Sequence, residues 1–515
     1  MINIWKNKSS IIDTEVTNLN KKIKEITLLK SLRDNICNMK NLFIDDDNLV
    51  IREFGNNNKN LDYCLIYFDG LVNAVTINES IIKPLMHSNV EIDNQSFINE
   101  LIEHVLLVDD IKKVNNTKDI VENITYGDSI LFIEGVDEAL ILNTKNFSIR
   151  SNTEPESEKV VIGPREGFNE VMLTNLSLIR RRLRTNDFKV KYFTLGDKTN
   201  TKISVCYLDS VADKKVLDEL YKRLSKIKID GILDSNYITE LTRDNKWSPF
   251  RTTGYSEKPD VITGKLLEGS IAIIVDGSPI VLTVPYLFIE NFQNGEDYYM
   301  SYHYSSFSRM LRIIGFLFTV CVPGFYIAIV AYHHEMIPSS LFFNIAMERR
   351  NAPLPAALET FTMLIVFDIL KETGIRMPTN IGQALSIVGA IVIGQAAVEA
   401  SLVAAPIIIV VAFTGITGLL VPRLNSPIIL CRFFLYILSS ILGLFGFFIG
   451  FSLLVIHILN LKSFGIPQLN INGDFKFQSI KDTFFRAPLW EMKKRPEATT
   501  NNLTRMESEV NSNEK

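Results

Sequence analysis

The chain has 515 residues, enough for two or three domains, and its 54 basic and 58 acidic side chains leave a net charge of −4. So small an imbalance argues against the strongly basic surface that general nucleic-acid binding requires. The cysteines are odd in number and form no CxxC pair, which argues against a disulfide framework or a structural zinc site. They are Cys37, Cys64, Cys206, Cys321 and Cys431.

Charged and apolar residues divide the chain into unlike halves. We predict an α/β cytosolic domain of two related subdomains, then an α-helical multi-pass membrane domain and a short polar tail. The start of the chain lacks the apolar segment of a signal peptide, so the first half is expected to stay in the cytoplasm. The predicted parts are an N-terminal helical extension (1–58), subdomain 1 (59–160), a linker helix with subdomain 2 (161–292), the membrane domain (293–461), a cytosolic juxtamembrane tail (462–492) and a disordered tail (493–515).

Two patterns in the first half recur at nearly the same offset. The segment Leu65–Val72 resembles Val205–Ala212, since each has a buried strand that ends at an Asp, and Gly127–Gly135 resembles Gly269–Gly277. A strand, a glycine-containing turn and a second strand make a β-hairpin. The repetition predicts a duplicated unit.

A basic cluster follows the first unit. The helix that begins near Phe168 has apolar residues spaced for one buried face, and it ends in Arg180-Arg181-Arg182. Cations suit the negative end of a helix, so a solvated last turn is one interpretation. The other is that Arg165 and these three arginines contact acidic lipid headgroups or a neighbouring subunit.

The second half contains four segments that could cross a bilayer, which takes about 20 apolar residues as a helix. They are Ile313–Tyr332, Ile381–Val403, Ile407–Val421 and Phe433–Leu461. Arg309 and Arg312 precede the first, further basic residues follow the last, and positive charge favours the cytoplasmic side. Both ends inside requires an even number of crossings, and four fits better than five.

A fifth apolar segment, Leu354–Leu370, keeps two carboxylates. Glu359 and Asp368 are nine residues apart, which places them on opposite faces of a helix. We predict an interfacial or re-entrant helix.

The segment Ile381–Ser401 combines small and polar residues. A small-xxx-small ladder lets helices approach closely in lipid; here it is Gly382, Ser386, Ala390 and Gly394. Gln395 and Glu399 are four apart and share a face. This polar strip is expected to line a pore in an oligomer or to lie in a packed bundle core. The alternative is that Glu399 lies at the helix end, in the headgroup region.

Catalytic motifs are missing from the first half. It has no nucleophile–base pair, glycine-rich phosphate loop or HExxH motif, and Asp69 and Asp209 are expected to start turns and cap helices. We predict no enzymatic activity, no cofactor and no metal site.

Several short sequence motifs resemble those of the A subunits of GerA-type spore germinant receptors. They are Pro164-Arg-Glu-Gly-Phe168, Ile179-Arg-Arg-Arg-Leu183, Tyr255-Ser-Glu-Lys-Pro-Asp260, Pro285-Tyr-Leu-Phe-Ile-Glu290, Glu296-Asp-Tyr-Tyr299, Gly374-Ile-Arg-Met-Pro378, Ile381-Gly-Gln-Ala384, Ile393-Gly-Gln-Ala-Ala-Val-Glu-Ala400, Lys481-Asp-Thr483 and Arg486-Ala-Pro-Leu-Trp490. The resemblance covers residues 160–496 and is specific as a set.

This resemblance implies a multi-pass protein of the spore inner membrane, with its large N-terminal domain in the cytoplasm, that acts with B and C subunits. It implies self-association into a ring that forms a nutrient-gated channel for monovalent cations, in contact with membrane lipid. On that basis Glu399 and Gln395 are the main candidates for the ion path, with Glu359 and Gln383 carrying less weight. Glu348, Arg349 and Arg350 are candidates for an inter-subunit or gate contact.

Two alternatives remain open at this point. The chain could be a transporter-like, nutrient-binding membrane subunit, with helices broken near Pro353-Leu-Pro355 and Pro378. It could also be a non-conducting scaffold that relays a signal. Binding of a nutrient to the chain without partners would favour the first alternative, and ion flux in liposomes separates a channel from a scaffold.

Overall fold

The computed structural model describes residues 28–56, 61–88, 97–146, 155, 158–350, 352–376, 389, 392–469, 482–496, 499, 500, 502, 504 and 505. Its N-terminal half holds two five-stranded antiparallel sheets, and its apolar half is a helical bundle.

The first sheet has the strand order β1-β2-β4-β5-β3. Its strands are β1 (Leu49–Gly55), β2 (Asp62–Phe68), β3 (Ile111–Val114), β4 (Ser129–Ile133) and β5 (Ala139–Leu142). Its helices are α1 (Leu32–Leu42), α2 (Lys83–His87), α3 (Phe97–Glu100) and α4 (Thr117–Thr125), with π-helical turns at Thr76–Ile82 and Leu101–Val105.

Both faces of this sheet are covered by helices. Alternate residues of a strand point to opposite faces. Ile66 of β2 accordingly packs with Ile36 of α1 and Ile120 of α4, whereas Leu65 packs with Leu85 of α2 on the other side. The central strands therefore read as continuous apolar runs rather than as an alternating pattern.

The second sheet repeats the first with the order β6-β7-β9-β10-β8. Its strands are β6 (Phe188–Leu195), β7 (Thr201–Leu208), β8 (Gly254–Ser256), β9 (Ile271–Val275) and β10 (Val281–Val284). Its helices are α5 (Met172–Arg180), α6 (Lys214–Leu224), α7 (Ser235–Leu241) and α8 (Pro259–Leu267). The equivalent strand orders agree with the predicted pair of related subdomains.

The first boundary predicted from the sequence is wrong. A separate helical extension is expected over 1–58, but β1 is the edge strand of the first sheet and α1 packs in its core. The error arises because β1 contains two charged residues, Arg52 and Glu53, and its pairing with β2 is a tertiary contact. Subdomain 1 therefore includes Leu32–Gly55.

The apolar half contains the remaining helices. They are α9 (Tyr302–Tyr332), α10 (Ser339–Arg349), α11 (Ala356–Arg376), α12 (392–399), α13 (Ala405–Gly418) and α14 (Asn425–Leu459). Short 3₁₀ turns lie at Phe288–Phe292, Gly295–Tyr298, His334–Met336, Pro422–Leu424 and Leu489–Glu491. Within the described residues, two helical stretches are long and apolar enough to span a membrane, Tyr302–Tyr332 and Pro422–Leu459, and the length of the second includes both arms of a turn at Gly443.

Helix α14 bends back on itself at Gly443, whose φ of 63° and ψ of −142° are not helical. Beyond this turn, a Cβ on Gly450 would lie 2.9 Å from Leu438 Cδ1 and 3.0 Å from Leu435 Cδ1, so the two arms pack side by side. The predicted single long span Phe433–Leu461 is therefore a helical hairpin. The residues around Gly443 are uncharged, so the sequence gives no charge signal for the reversal.

The helices run between two ends of the bundle. At the near end, which lies against the N-terminal half, Lys371 Nζ donates to Asn425 Oδ1 at 2.6 Å. At the far end, Tyr332 OH donates to the Ser440 carbonyl oxygen at 2.6 Å and Tyr436 OH donates to that of Ala357 at 2.5 Å. Helix α11 thus extends from the far end to the near end, whereas the sequence predicts an interfacial or re-entrant helix for Leu354–Leu370.

The tail returns to the N-terminal half. Strands β11 (Lys462–Ser463) and β12 (Ile466–Pro467) form a small hairpin, and Ser463 Oγ donates to the Thr252 carbonyl oxygen at 2.6 Å. Further on, Thr499 Oγ1 donates to the Glu268 carbonyl oxygen at 2.6 Å. The described part of 493–515, which was predicted to be disordered, is thus held by contacts with subdomain 2.

Candidate functional site

Glu399 and Gln395 form the polar strip of α12. Gln395 Nε2 donates to Glu399 Oε1 at 2.9 Å, and both side chains are exposed in the single chain. Their spacing of four residues places them on one helical face. Glu399 is therefore partnered by its own helix and still open to whatever lies beside it.

This helix packs against α13 at Gly394. A Cβ on Gly394 would lie 3.4 Å from Ile408 Cγ2 of α13, which is ordinary van der Waals contact, so the two helices pack together here and the position has room for a methyl group. The other predicted members of the ladder, Gly382, Ser386 and Ala390, and the candidate Gln383 lie outside the described residues.

Glu359 has no exposed surface. One of its carboxylate oxygens accepts a hydrogen bond from the backbone N–H of Ala404, just before α13, and Arg349 Nε lies 3.9 Å from the other. The sequence placed Glu359 on an ion path, but the structure buries it between helices. It instead connects the end of α10 to the segment between α12 and α13.

Asp368 and Arg432 form a second polar contact inside the bundle. Their side chains make an ion pair between α11 and α14, and Asp368 is therefore directed away from Glu359, as nine-residue spacing requires. A charged group inside an apolar bundle is expensive unless it is paired. The sequence analysis did not identify Arg432 and Lys371. A single cation in an apolar segment could have indicated a buried polar partner at each position.

The acidic-basic cluster at the end of α10 is only partly used within the chain. Glu348 and Arg350 are exposed, whereas Arg349 is half-buried beside Glu359. Their proposed part in a subunit or gate contact stays a prediction.

Arg180 does not lie on an exposed surface, which corrects the interface role predicted for it from the sequence; the same role for Arg165, Arg181 and Arg182 stays a prediction. Arg180 has no exposed surface, donates to both carboxylate oxygens of Asp46 at 2.7 and 2.8 Å, and lies 3.7 Å from the centre of the Phe68 ring. It therefore joins subdomain 2 to subdomain 1. The partner lies 134 residues earlier, so no local pattern could reveal it.

Arg181 and Arg182 both bind Glu166. Each donates to this carboxylate at 2.6 Å, while Arg165 remains exposed. Burial raises the pKa of Glu166, but the hydrogen bonds and charges of Arg182 and Arg181 outweigh that effect and the net pKa is lowered. The carboxylate fixes the segment before α5 on the end of that helix.

Glu166→Gln is expected to reduce stability in a pH-dependent way. The lowered folded-state pKa means that the carboxylate's contribution is fully present above its ordinary value of 4.5 and disappears as the pH falls through the lowered value. We expect a loss of about 1–2 kcal/mol at neutral pH, reduced by partial exposure. Thermal unfolding of the full chain from pH 7 to pH 3 measures it.

The exposed neighbour Glu170 supplies the control for this experiment. Glu170→Gln is expected to unfold like the unaltered chain across the range. A Glu166→Gln deficit that stayed constant down to pH 3 would show that shape rather than charge is responsible.

A buried ionic junction fixes the start of α9. Asp297 accepts two hydrogen bonds from Arg312, at 2.8 and 2.9 Å, and Arg309 Nη1 lies 3.0 Å from Asp482 Oδ1. Tyr298 OH donates to the other Asp482 oxygen at 2.7 Å. Burial, reinforced by the Asp482 charge, raises the pKa of Tyr298 well above its ordinary value, so the phenol stays a donor.

Two further contacts connect the halves at the near end. Arg423, between α13 and α14, donates to Glu158 Oε1 at 2.6 Å. The His457 ring, near the end of α14, lies 2.9 Å from Ser248 Oγ. Both ends of the α14 hairpin therefore contact the same N-terminal half.

Comparisons with known proteins identify the family. The family described as "Bacillus/Clostridium GerA spore germination protein" matches residues 37–498. The chain belongs to the GerA family. The resemblance found in the sequence motifs is thereby confirmed, and the family match extends further toward the N-terminus than the motifs do.

Several relatives of this GerA-family chain match over almost its whole length. "Spore germination protein KA" of Bacillus subtilis is 38% identical over 482 residues, which is 93% of this chain and 88% of the relative. "Uncharacterized membrane protein YfkQ" of the same organism is 38% identical over 493 residues, 93% and 95% of the two chains. "Spore germination protein GerLA" of Bacillus cereus is 31% identical over 473 residues, 91% and 94%.

One solved structure is also similar to this GerA-family chain. It is the N-terminal domain of the A subunit of the Bacillus megaterium spore germinant receptor GerK3, which is 30% identical, with a TM-score of 0.41. It corresponds to 51% of this chain and 98% of that one.

The family motifs include residues that sequence reasoning had not placed in any site. Asp297 and Asp482 each lie within one of the family motifs. Arg309 and Arg312 served in the sequence analysis only to indicate the cytoplasmic side of the first span. The structure brings all four together at the near end.

Proposed function

We propose that this GerA-family chain is a subunit of a nutrient germinant receptor in the spore inner membrane, where it acts with B and C subunits. Several copies associate into a ring, and a nutrient-gated path for monovalent cations runs along its axis. Glu399 and Gln395 face this path. Cation release through it starts germination.

One observation carries the proposal. Inside the bundle, Glu359 is buried against Ala404, Asp368 is paired with Arg432, and Lys371 is bonded to Asn425. Glu399 differs, because it is exposed and its hydrogen bond comes from its own helix. Glu399 is the last residue of α12, at the far end of the bundle. A carboxylate costs several kcal/mol at the bilayer centre by estimates that vary widely, so the favoured neighbour of Glu399 is water or another polar chain rather than hydrocarbon. A ring of carboxylates selects cations.

The helix directions support a six-crossing topology for the proposed subunit. Helix α9 leads to the far end and α11 returns to the near end, whereas α13 begins beside Ala404 at the far end and ends at Gly418 beside Lys371. The connection between α11 and α13 is therefore counted as one further crossing in this proposal. The two arms of α14 make the last pair. An even number puts both termini on one side, as expected from the flanking basic residues, with six crossings in place of four.

Glu399→Gln is expected to lower monovalent cation flux by about tenfold, which corresponds to about 1.4 kcal/mol, because the ring loses its charge while the side chain keeps its shape. Flux of K⁺ from liposomes containing the purified receptor subunits measures this directly. Cation release from spores that carry the variant provides the second readout.

Glu335→Gln is the matched control, since Glu335 is an exposed acid at the far end outside α12. It is expected to leave flux within about twofold. Normal flux with Glu399→Gln would exclude the residue from the path. Loss of assembly, with normal conductance in the complexes that remain, would make its role structural.

A further inference from the structure

A cavity opens at the far end of the bundle between the end of α9 and helix α10. Its volume is about 350 Å³, which is within the range of small-molecule sites. Its lining combines apolar and basic side chains. The lining includes Val330, Ile337, Ile345, His334, Arg349 and Arg350.

Helix α10 is apolar on its outer side as well. Ile345 is buried toward the cavity, whereas Leu341, Phe343 and Met347 are 51%, 65% and 66% exposed. Exposed apolar side chains gain free energy when they are removed from water. The outer side of α10 therefore suits the hydrocarbon of a bilayer, and an acyl chain could pass from there into the cavity.

The two arginines in the cavity lining have guanidinium N–H groups that could bind an anion. Arg349 is 24% exposed, and its Nε is 3.9 Å from Glu359 Oε2, too far for a hydrogen bond. Glu359 already accepts the N–H of Ala404. Arg350 is exposed and, within the described ranges, forms no ion pair. Two guanidinium groups are thus available beside an apolar wall.

We propose that this cavity binds an anionic amphiphile, with its head on Arg349 and Arg350 and its apolar tail against Val330, Ile337 and Ile345. Guanidinium groups bind carboxylates and phosphates by paired, charge-assisted hydrogen bonds. The head can belong to an anionic phospholipid of the surrounding membrane or to a free medium-chain carboxylate.

Occupancy has a consequence for the polar strip. A bound head places a second anion on Arg349, opposite Glu359, whose other oxygen holds the Ala404 N–H. Ala404 is five residues from Glu399, so the cavity is connected to α12 through a short series of contacts. Only this connection rests on the proposed conduction; binding to the cavity stands without it.

The test uses the purified full chain in nanodiscs of phosphatidylcholine with increasing phosphatidylglycerol, and native mass spectrometry counts the phosphatidylglycerol retained. Arg350→Gln removes charge and Ala346→Trp fills the cavity while keeping both arginines. Each is expected to weaken retention by about tenfold. The control Lys462→Gln, an exposed cation at the near end, is expected to change it by less than about twofold.

The two variants distinguish a built cavity from general charge attraction. Loss with Arg350→Gln but not with Ala346→Trp would mean surface attraction only and would overturn the proposal, as would unchanged retention in both. Using two positions other than Arg349 avoids disturbing its contact with Glu359, and the unfolding temperature of each variant checks that it is folded.

A second arm identifies the source of the head group. Sodium octanoate is titrated into the chain in pure phosphatidylcholine nanodiscs, and the unfolding temperature is followed. A rise that disappears in Ala346→Trp assigns the cavity to a free carboxylate, and retention of phosphatidylglycerol without such a rise assigns it to lipid. Response to neither ligand would overturn the proposal.

Discussion

Replacing Arg180 by alanine is expected to destabilise the N-terminal half by about 3–5 kcal/mol, because Asp46 is left as a buried carboxylate without its partner. Both side chains have no exposed surface, and the guanidinium also lies on the Phe68 ring. Denaturant unfolding of the full chain, followed through the N-terminal half, measures the change.

Two comparisons isolate the buried pair. Lys191→Ala removes an exposed cation 3.6 Å from the adjacent Asp45 and is expected to cost less than about 1 kcal/mol. The double variant Arg180→Met with Asp46→Leu replaces the pair with apolar groups and is expected to recover part of the loss, since neither buried charge remains. If Arg180→Ala cost no more than Lys191→Ala, the pair would not join the subdomains energetically.

Gly443→Val is expected to destabilise the helical bundle and disrupt the α14 hairpin. The backbone at φ 63° and ψ −142° is open essentially to glycine, and a residue forced into such a region costs about 1–3 kcal/mol. A Cβ would also lie 3.0 Å from Tyr332 Cβ and 3.0 Å from His333 Cε1, so crowding adds to the strain. Thermal unfolding of the full chain in detergent measures the combined effect.

Gly465→Ala is the control for backbone strain alone. Its φ of 84° also favours glycine, but no heavy atom lies within 4 Å of a Cβ built there. We expect a smaller loss of about 1 kcal/mol. Equal losses at the two glycines would mean that the packing of the turn against α9 contributes nothing.

The position of the turn can be checked independently with Leu442→Cys in a Cys37→Ser background; Cys37 is the exposed cysteine of the described chain. In sealed vesicles, an impermeant maleimide is expected to label position 442 from the side opposite the N-terminal half. Protection from both sides, as for the middle of one long span, would contradict the hairpin.

Features that depend on local spacing could be predicted from the amino-acid sequence. The recurring Leu65 and Val205 strands and their hairpins predicted two related subdomains, because equivalent local patterns fold into equivalent elements. The spacing of Gln395 and Glu399 likewise placed both on one helical face. The short sequence motifs were enough to indicate the GerA family, because together they form a specific set.

The positions of the buried charges depend on tertiary contacts instead. The sequence suggested an interface role for Arg180, yet its partner Asp46 is far away along the chain, and pairing across such a distance leaves no periodic signal. It also suggested an ion path for Glu359, but packing of α10, α11 and the start of α13 buries this carboxylate. The turn at Gly443 could not be predicted because a glycine in an apolar run fits both a straight helix and a reversal, and the contacts of both arms select the reversal.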